Sequence, residues 1–208
     1  MIIYDVSMTI EKSMGVYKNI EEKRPVIKFD RKIPKDSINE SSMCMNLHTG
    51  THIDAPYHVD DMGATIDAID LNKLITKCRV IDLTKIVGGI TKEDLIDKNI
   101  EEGEFLLFKT KNSFSEEFQS DFVYVEKSGA EYLAAKGIIG VAIDSFGIER
   151  AQPGHETHKI LFNKGITIIE GVRLKEINED EYLMCALPLK IKGADGAPAR
   201  VVLIKDFI

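Results

Sequence analysis

Tryptophan is absent from the 208 residues, and cysteine and proline are scarce, at three and six. The cysteines, Cys44, Cys78 and Cys185, are odd in number, far apart and without CxxC spacing, which excludes a disulfide scaffold and a thiolate metal knuckle. Each lies in an apolar stretch, so all three are expected as core thiols in a reducing, cytoplasmic setting. Basic clusters are missing as well. The formal net charge is −7, and no run of Lys and Arg interleaved with aromatics offsets it, so nucleic acid is not an expected partner. No apolar run is long enough to span a bilayer, and the opening MIIYDVSMTIEKS has neither the basic start nor the apolar stretch of a signal peptide. No membrane partner is expected.

What remains is the balance of a globular chain: 44% hydrophobic and 29% charged residues, enough to bury a sizeable core, with no compositional break. Residues 1–208 are therefore expected to form a single domain. Short apolar or alternating runs predict strands at Ile2–Val6, Met43–Leu47, Arg79–Leu83, Phe105–Thr110, Ile138–Ile143, Thr167–Ile169, Tyr182–Leu187 and Arg200–Ile204. Helices are predicted at Thr91–Asn99, opened by a Thr-x-x-Asp cap, at Ser128–Lys136, opened by Ser-x-x-Glu and stopped by Gly137, and at Glu156–Asn163, closed by Gly165. GADGAP, residues 193–198, reads as a turn between the last two strands, and the charged stretch from Glu11 to Ser42 as an arm or a surface loop. Strands outnumber helices without βαβ alternation, so the expected class is mixed α/β, a mixed sheet with helices on part of it.

All five histidines fall in two windows, HTGTHIDAPYH (His48, His52, His58) and GHETHKILF (His155, His158). Imidazole lone pairs bind divalent cations, and carboxylates supply the compensating charge. Gly50 between two threonines disfavours a helix in the first window. An extended chain, with its period of two, would send His48, His52, Asp54 and His58 to one side, with Pro56 stiffening the approach to His58. His48, His52 and Asp54 are thus candidate ligands of a cation that activates water, and His58 is a candidate acid/base. In the second window the strand ITIIEG ends on Glu170, a carboxylate that needs a cation if buried. That cation is a second metal ion shared with His158, or else Arg150 or Arg173. His155 reads as a surface or supporting residue.

At these residues the sequence resembles the metal-dependent cyclase family, which includes bacterial kynurenine formamidases (arylformamidases) and isatin hydrolases. HTGTHIDAPYH is similar to the family's H-x-G-T-H-x-D-x-P-x-H signature, HKILFNKGITIIEG to its H-x-x-L-L-x-x-G-I-x-I-x-E segment, and ALPLKIKGADGAPARVVL to its C-terminal block. The resemblance implies a three-layer β/β/α, swivelling-type fold and a homodimer or higher homo-oligomer. It implies one cation on His48, His52 and Asp54, a second on Asp54, His158 and Glu170, with zinc the first candidate and manganese the second, and His58 as proton donor and acceptor. The activity it implies is hydrolysis of a small-molecule amide, first N-formylkynurenine to kynurenine and formate. Opening of a cyclic amide such as isatin is the alternative, and a non-catalytic metal-binding module is a further one. Where formamidases of the family carry a Pro- and Trp-rich N-terminal stretch, this chain has KSMGVYKNIEEKRP, which leaves Tyr17 as the candidate substrate-binding aromatic.

Overall fold

Apolar side chains on both faces of the central strands dictate the architecture of the computed structural model, which describes residues 1–206. The strands of the first half are β1 (Ile2–Asp5), β2 (Val26–Arg31), β3 (Glu40–Cys44), β4 (His52–Asp54), β5 (Ile75–Asp82) and β6 (Gly89–Ile90). After α1 (Lys92–Leu95) come β7 (Phe105–Lys109), β8 (Tyr124–Val125), α2 (Lys127–Lys136) and β9 (Gly140–Ile143). The chain finishes with α3 (Glu156–Phe162), β10 (Thr167–Glu170), β11 (Glu181–Pro188) and β12 (Gly196–Lys205).

The main sheet runs β1-β12-β11-β5-β7-β9-β10-β4, and β4 pairs in addition with β12. Seven strands therefore close into a barrel, and β1 lies outside it on β12. Neighbours from β5 through β7 and β9 to β10 are parallel, while β11, β12, β4 and β1 are joined by antiparallel ladders. The predicted mixed sheet is present, and closure removes the edges that an open sheet would expose. Along β7 the side chains alternate. Phe105 and Leu107 join the barrel interior with Ile53, Ile169, Met184 and Leu203. Leu106 and Phe108 join a second core with Leu95, Ala130, Leu133 and Leu161, under the helices. Two barrel walls and one helix layer make the β/β/α arrangement that the resemblance implied. Each fully buried Leu, Ile or Phe stabilises this layering by about 1.5–3 kcal/mol.

Several local expectations need correction. The strand predicted at Met43–Leu47 lies earlier, at β3, and among the described residues pairs only with β2, in a separate hairpin whose Val26, Phe29 and Met43 are exposed. Cys44 on that hairpin is exposed and Cys185 is half-buried, so only Cys78 is a core thiol, its pKa pushed up to about 12 by burial. Helix α2 begins one residue before Ser128 with Glu126 as N-cap. The Ser128 hydroxyl donates to the Glu126 carboxylate and accepts the Lys92 N–H of a neighbouring segment, not an amide of its own helix, so the expected capping box is absent there. At α1 the Thr91–Asp94 capping box is formed, and Asn99 ends the following turn in the left-handed region. The GADGAP turn is shorter than predicted, because Gly196–Pro198 already belongs to β12 and pairs with β4. Among the described residues no helix is long and apolar enough to cross a membrane.

Candidate active site

Strand β4 places the first donors. Its three residues are all buried. Ile53 enters the barrel core, so the period of two turns His52 and Asp54 together to the opposite side. The extended reading of the whole window is corrected on either flank. Gly50, at φ +74°, breaks the strand, and His48 arrives from the preceding turn. Pro56 opens a single 3-10 turn, Pro56–His58, that carries His58 over the same spot. Two glycines permit this packing. A Cβ on Gly171 would lie 2.6 Å from the Gly50 carbonyl oxygen, and one on Gly196 would lie 3.0 Å from the His48 ring.

The second window enters from the neighbouring strand. Glu170 ends β10 in register opposite His52, and His158 reaches across from α3. His52 Nε2 stands 3.3 Å from Asp54 Oδ1 and 3.4 Å from Glu170 Oε2. His158 Nε2 stands 3.4 Å from Asp54 Oδ2 and 3.6 Å from Glu170 Oε1. His48 Nδ1 lies 2.7 Å from Asp54 Oδ1. The structure thus brings together all five residues singled out as ligands, in two groups of donors, His48/His52/Asp54 and Asp54/His158/Glu170. Neither arginine serves Glu170: Arg150 donates to the Phe122 carbonyl and Arg173 stands toward Glu116. The Glu170 carboxylate instead accepts the Ile148 N–H at 2.6 Å.

These residues fit a divalent cation. His52 Nε2, Asp54 Oδ2 and both ring nitrogens of His158 are buried without a hydrogen-bond partner among the described residues, an arrangement that costs stability unless something fills it. Donors bound to one tetrahedral cation at about 2.0–2.1 Å stand roughly 3.3–3.4 Å apart, close to the separations of 3.3–3.6 Å around His52 and His158, whereas His48 Nδ1 sits at hydrogen-bond distance from Asp54. His52 donates Nδ1–H to the Gly50 carbonyl at 2.9 Å, which leaves the Nε2 lone pair aimed inward. With no cation, protons must balance the charge. Against the pull of burial, Asp54 and Glu170 raise the His52 imidazole to about 10, and Asp54, Glu149 and Glu170 hold His158 well above the ordinary range. Burial would raise Asp54, but the surrounding imidazoles hold it well below the usual carboxylate range.

His58 is placed differently. Its side chain is 30% exposed, and its ring centroid is 4.1 Å from that of His48 and 5.5 Å from that of His158. Burial, with the nearby His48 and His158 imidazoles, lowers its pKa against the opposing influence of Asp54 and Glu170, which favours a neutral ring able to accept a proton. Above it opens a cavity of about 480 Å³ whose walls include Tyr17, Phe146 and Gln152. Tyr17 packs edge-on to Phe118 at 5.3 Å, within an aromatic cluster. His155 is largely exposed and outside both donor groups, with Nδ1 2.5 Å from Glu149. Sequence reasoning missed two acidic residues. Asp195 lies 2.7 Å from His48 Nε2 and 3.7 Å from His58 Nδ1, and Glu149 faces His158. Asp195 lay in a segment read as a turn, and only the β4–β12 pairing reveals its place.

A kynurenine formamidase from Bacillus cereus is 34% identical over 169 residues, 80% of each chain. A solved structure described as a potential metal-dependent hydrolase with cyclase activity superposes with a TM-score of 0.90 at 51% identity, over 97% of this chain and 96% of that one. Isatin hydrolase A from Ralstonia solanacearum shares the fold, with a TM-score of 0.83 at 20% identity over 98% of this chain and 92% of its own. Barrel, donor cluster and relatives together define a metal-dependent hydrolase. The chain belongs to the putative cyclase family, whose model matches residues 4–150.

Proposed function

We propose that this hydrolase cleaves the C–N bond of an aryl formamide, with N-formylkynurenine as the first candidate, as one domain spanning residues 1–208. The observation that carries the reading is the set of buried, unpartnered imidazole and carboxylate atoms converging beneath an aromatic-walled cavity. The formamidase relative supports the substrate class. His48, His52 and Asp54 would hold one cation, and Asp54, His158 and Glu170 a second, since the two Asp54 oxygens face different imidazoles. Zinc suits this donor set best and manganese next. Held there, a cation would supply a water whose pKa is lowered from about 15.7 toward 7 and would polarise the formyl oxygen.

The protein's own groups do the rest. His58, neutral and within reach of the cavity floor, takes the proton as the water oxygen bonds to the formyl carbon. It returns that proton to the nitrogen as the C–N bond breaks, releasing the arylamine and formic acid, which loses its own proton to solvent as formate. Tyr17 and Phe146 orient the ring. The family resemblance supports a homo-oligomer, and the three free, scattered cysteines support a cytoplasmic setting.

The test is a panel of N-formylkynurenine, formanilide and isatin, assayed with zinc, with manganese and after chelation. Formamide turnover that chelator abolishes is the expected result. Isatin opening without formamide cleavage would reassign the substrate, and metal-independent turnover would sink the proposal. In the same assay His58→Ala is expected to keep its metal and lose about 10²–10⁴-fold in kcat. Unchanged turnover would remove the acid/base role.

A further inference from the structure

Glu149 is a buried carboxylate that the proposed chemistry leaves unused. It sits midway along the loop between β9 and α3, 8% exposed, and its two oxygens divide their work. Oε2 accepts the backbone N–H of Thr157 at 3.1 Å, fastening the first turn of α3. Oε1 is hydrogen-bonded to His155 Nδ1 at 2.5 Å and lies 3.2 Å from His158 Nδ1, near enough but not aligned for a hydrogen bond. His158 is therefore flanked by carboxylates on both ring nitrogens, Glu149 on one side and the Asp54/Glu170 pair on the other.

Only one arrangement of protons serves a cation at the Asp54/Glu170 side. Nδ1 must carry the hydrogen and point it at Glu149, so that the Nε2 lone pair faces inward. A carboxylate that accepts from the outer nitrogen of a ligating histidine fixes its tautomer and ring orientation and raises its basicity. His52 receives the same service from the Gly50 carbonyl. We propose that Glu149 is a positioning residue for His158: its carboxylate holds the imidazole and the start of α3 so that Nε2 is presented to the second cation. The inference rests on the cation site proposed above. His155 shares the Glu149 oxygen from the solvent side and is not a ligand, although Glu149, His155 and His158 also lie close enough to hold an ion of their own.

The experiment titrates Zn²⁺ into the chelator-stripped full chain, against a competing chelator. Wild type is expected to bind two ions. Glu149→Gln is expected to weaken the second by about 10–100-fold while leaving the first unchanged. Glu149→Asp should recover most of that loss, and His155→Ala should leave both affinities unchanged. Equal second-site affinity in wild type and Glu149→Gln would overturn the proposal, as would the loss of one ion from His155→Ala, which would make the outer trio a site in its own right. Wild-type protein that binds no zinc at all would remove the underlying cation reading instead. Nitrogen-15 spectra of histidine-labelled, zinc-loaded wild type add a readout that needs no variant to fold. His158 is expected to carry its proton on Nδ1, and a proton on Nε2 would refute the assignment.

Discussion

Two buried aspartates in this molecule are opposites, and the contrast separates a carboxylate kept for structure from one kept for chemistry. Asp144, just after β9, accepts from the Thr110 N–H and hydroxyl at 2.7 Å each, from the Ser113 N–H and hydroxyl at 3.1 and 2.6 Å, and from the Asn112 amide at 3.2 Å. Its lone pairs are saturated by neutral donors, and nothing is left to bind a ligand. Asp54 is equally buried, yet Oδ2 has no hydrogen-bond partner among the described residues and its neighbours are ring nitrogens that are themselves incompletely paired. Both sites cost desolvation. In the first the fold offsets that cost locally, and in the second the offset must come from a cation or from protons taken up by histidines.

The largest expected effect on this comparison comes from Asp54→Asn. Removing the charge shared by both donor groups should abolish tight zinc binding and lower amide turnover by at least about 10³-fold, while the apoprotein still folds. Measured zinc stoichiometry that stayed at the wild-type value would break the contrast. Asp144→Ala should do the reverse. It strands four buried donors and should cost roughly 3 kcal/mol or more in denaturant unfolding, with zinc affinity of the surviving folded protein unchanged.

A smaller effect is expected at a third carboxylate that sharpens the comparison, because it is half-buried and paired with a fixed cation. Glu104 accepts two bonds from Arg79, at 2.7 and 2.8 Å, and the Glu101 N–H at 2.8 Å. Burial alone would raise its pKa, but the arginine and the amide hold it below the ordinary glutamate range. The unfolded chain therefore binds more protons than the folded one in that interval, so this contribution is present above the unfolded value, near about 4.3, and fades as pH falls through the folded one. Glu104→Gln should lose about 1 kcal/mol at neutral pH and show a flatter stability profile below pH 4. An identical acid slope in variant and wild type would mean that the pair contributes nothing.

Much of this could be read along the chain. The strands at β7, β10 and β11 fell within a residue or so of the predicted runs, because alternating or continuous apolar stretches need no partner to be recognised. The histidine windows, with Asp54 and Glu170, named all five members of the cluster. Less legible were the pieces whose role depends on what lies beside them. β2, VIKFDR, is exposed and mixes apolar and charged residues without a clear alternation, so periodicity was silent there. β4 is three residues long and owes its place to β10 on one side and β12 on the other. Asp195 matters only through imidazoles far away in sequence, and Glu149 only through the way its loop folds back beside α3, and no local pattern distinguishes either from the chain's other acids.

Residue identity and short-range periodicity determined which side chains could bind a cation, and that His52 and Asp54 share one side of a strand, since that follows from backbone geometry alone. Tertiary structure decided the rest: the barrel's closure through β4, the meeting of His158 and Glu170 with Asp54, and the placing of a carbonyl or carboxylate beside each outer imidazole nitrogen. The division has one cause. A donor's chemistry is local, whereas its desolvation and its partners are set by chain segments that hydrophobic burial brings together from a hundred residues away.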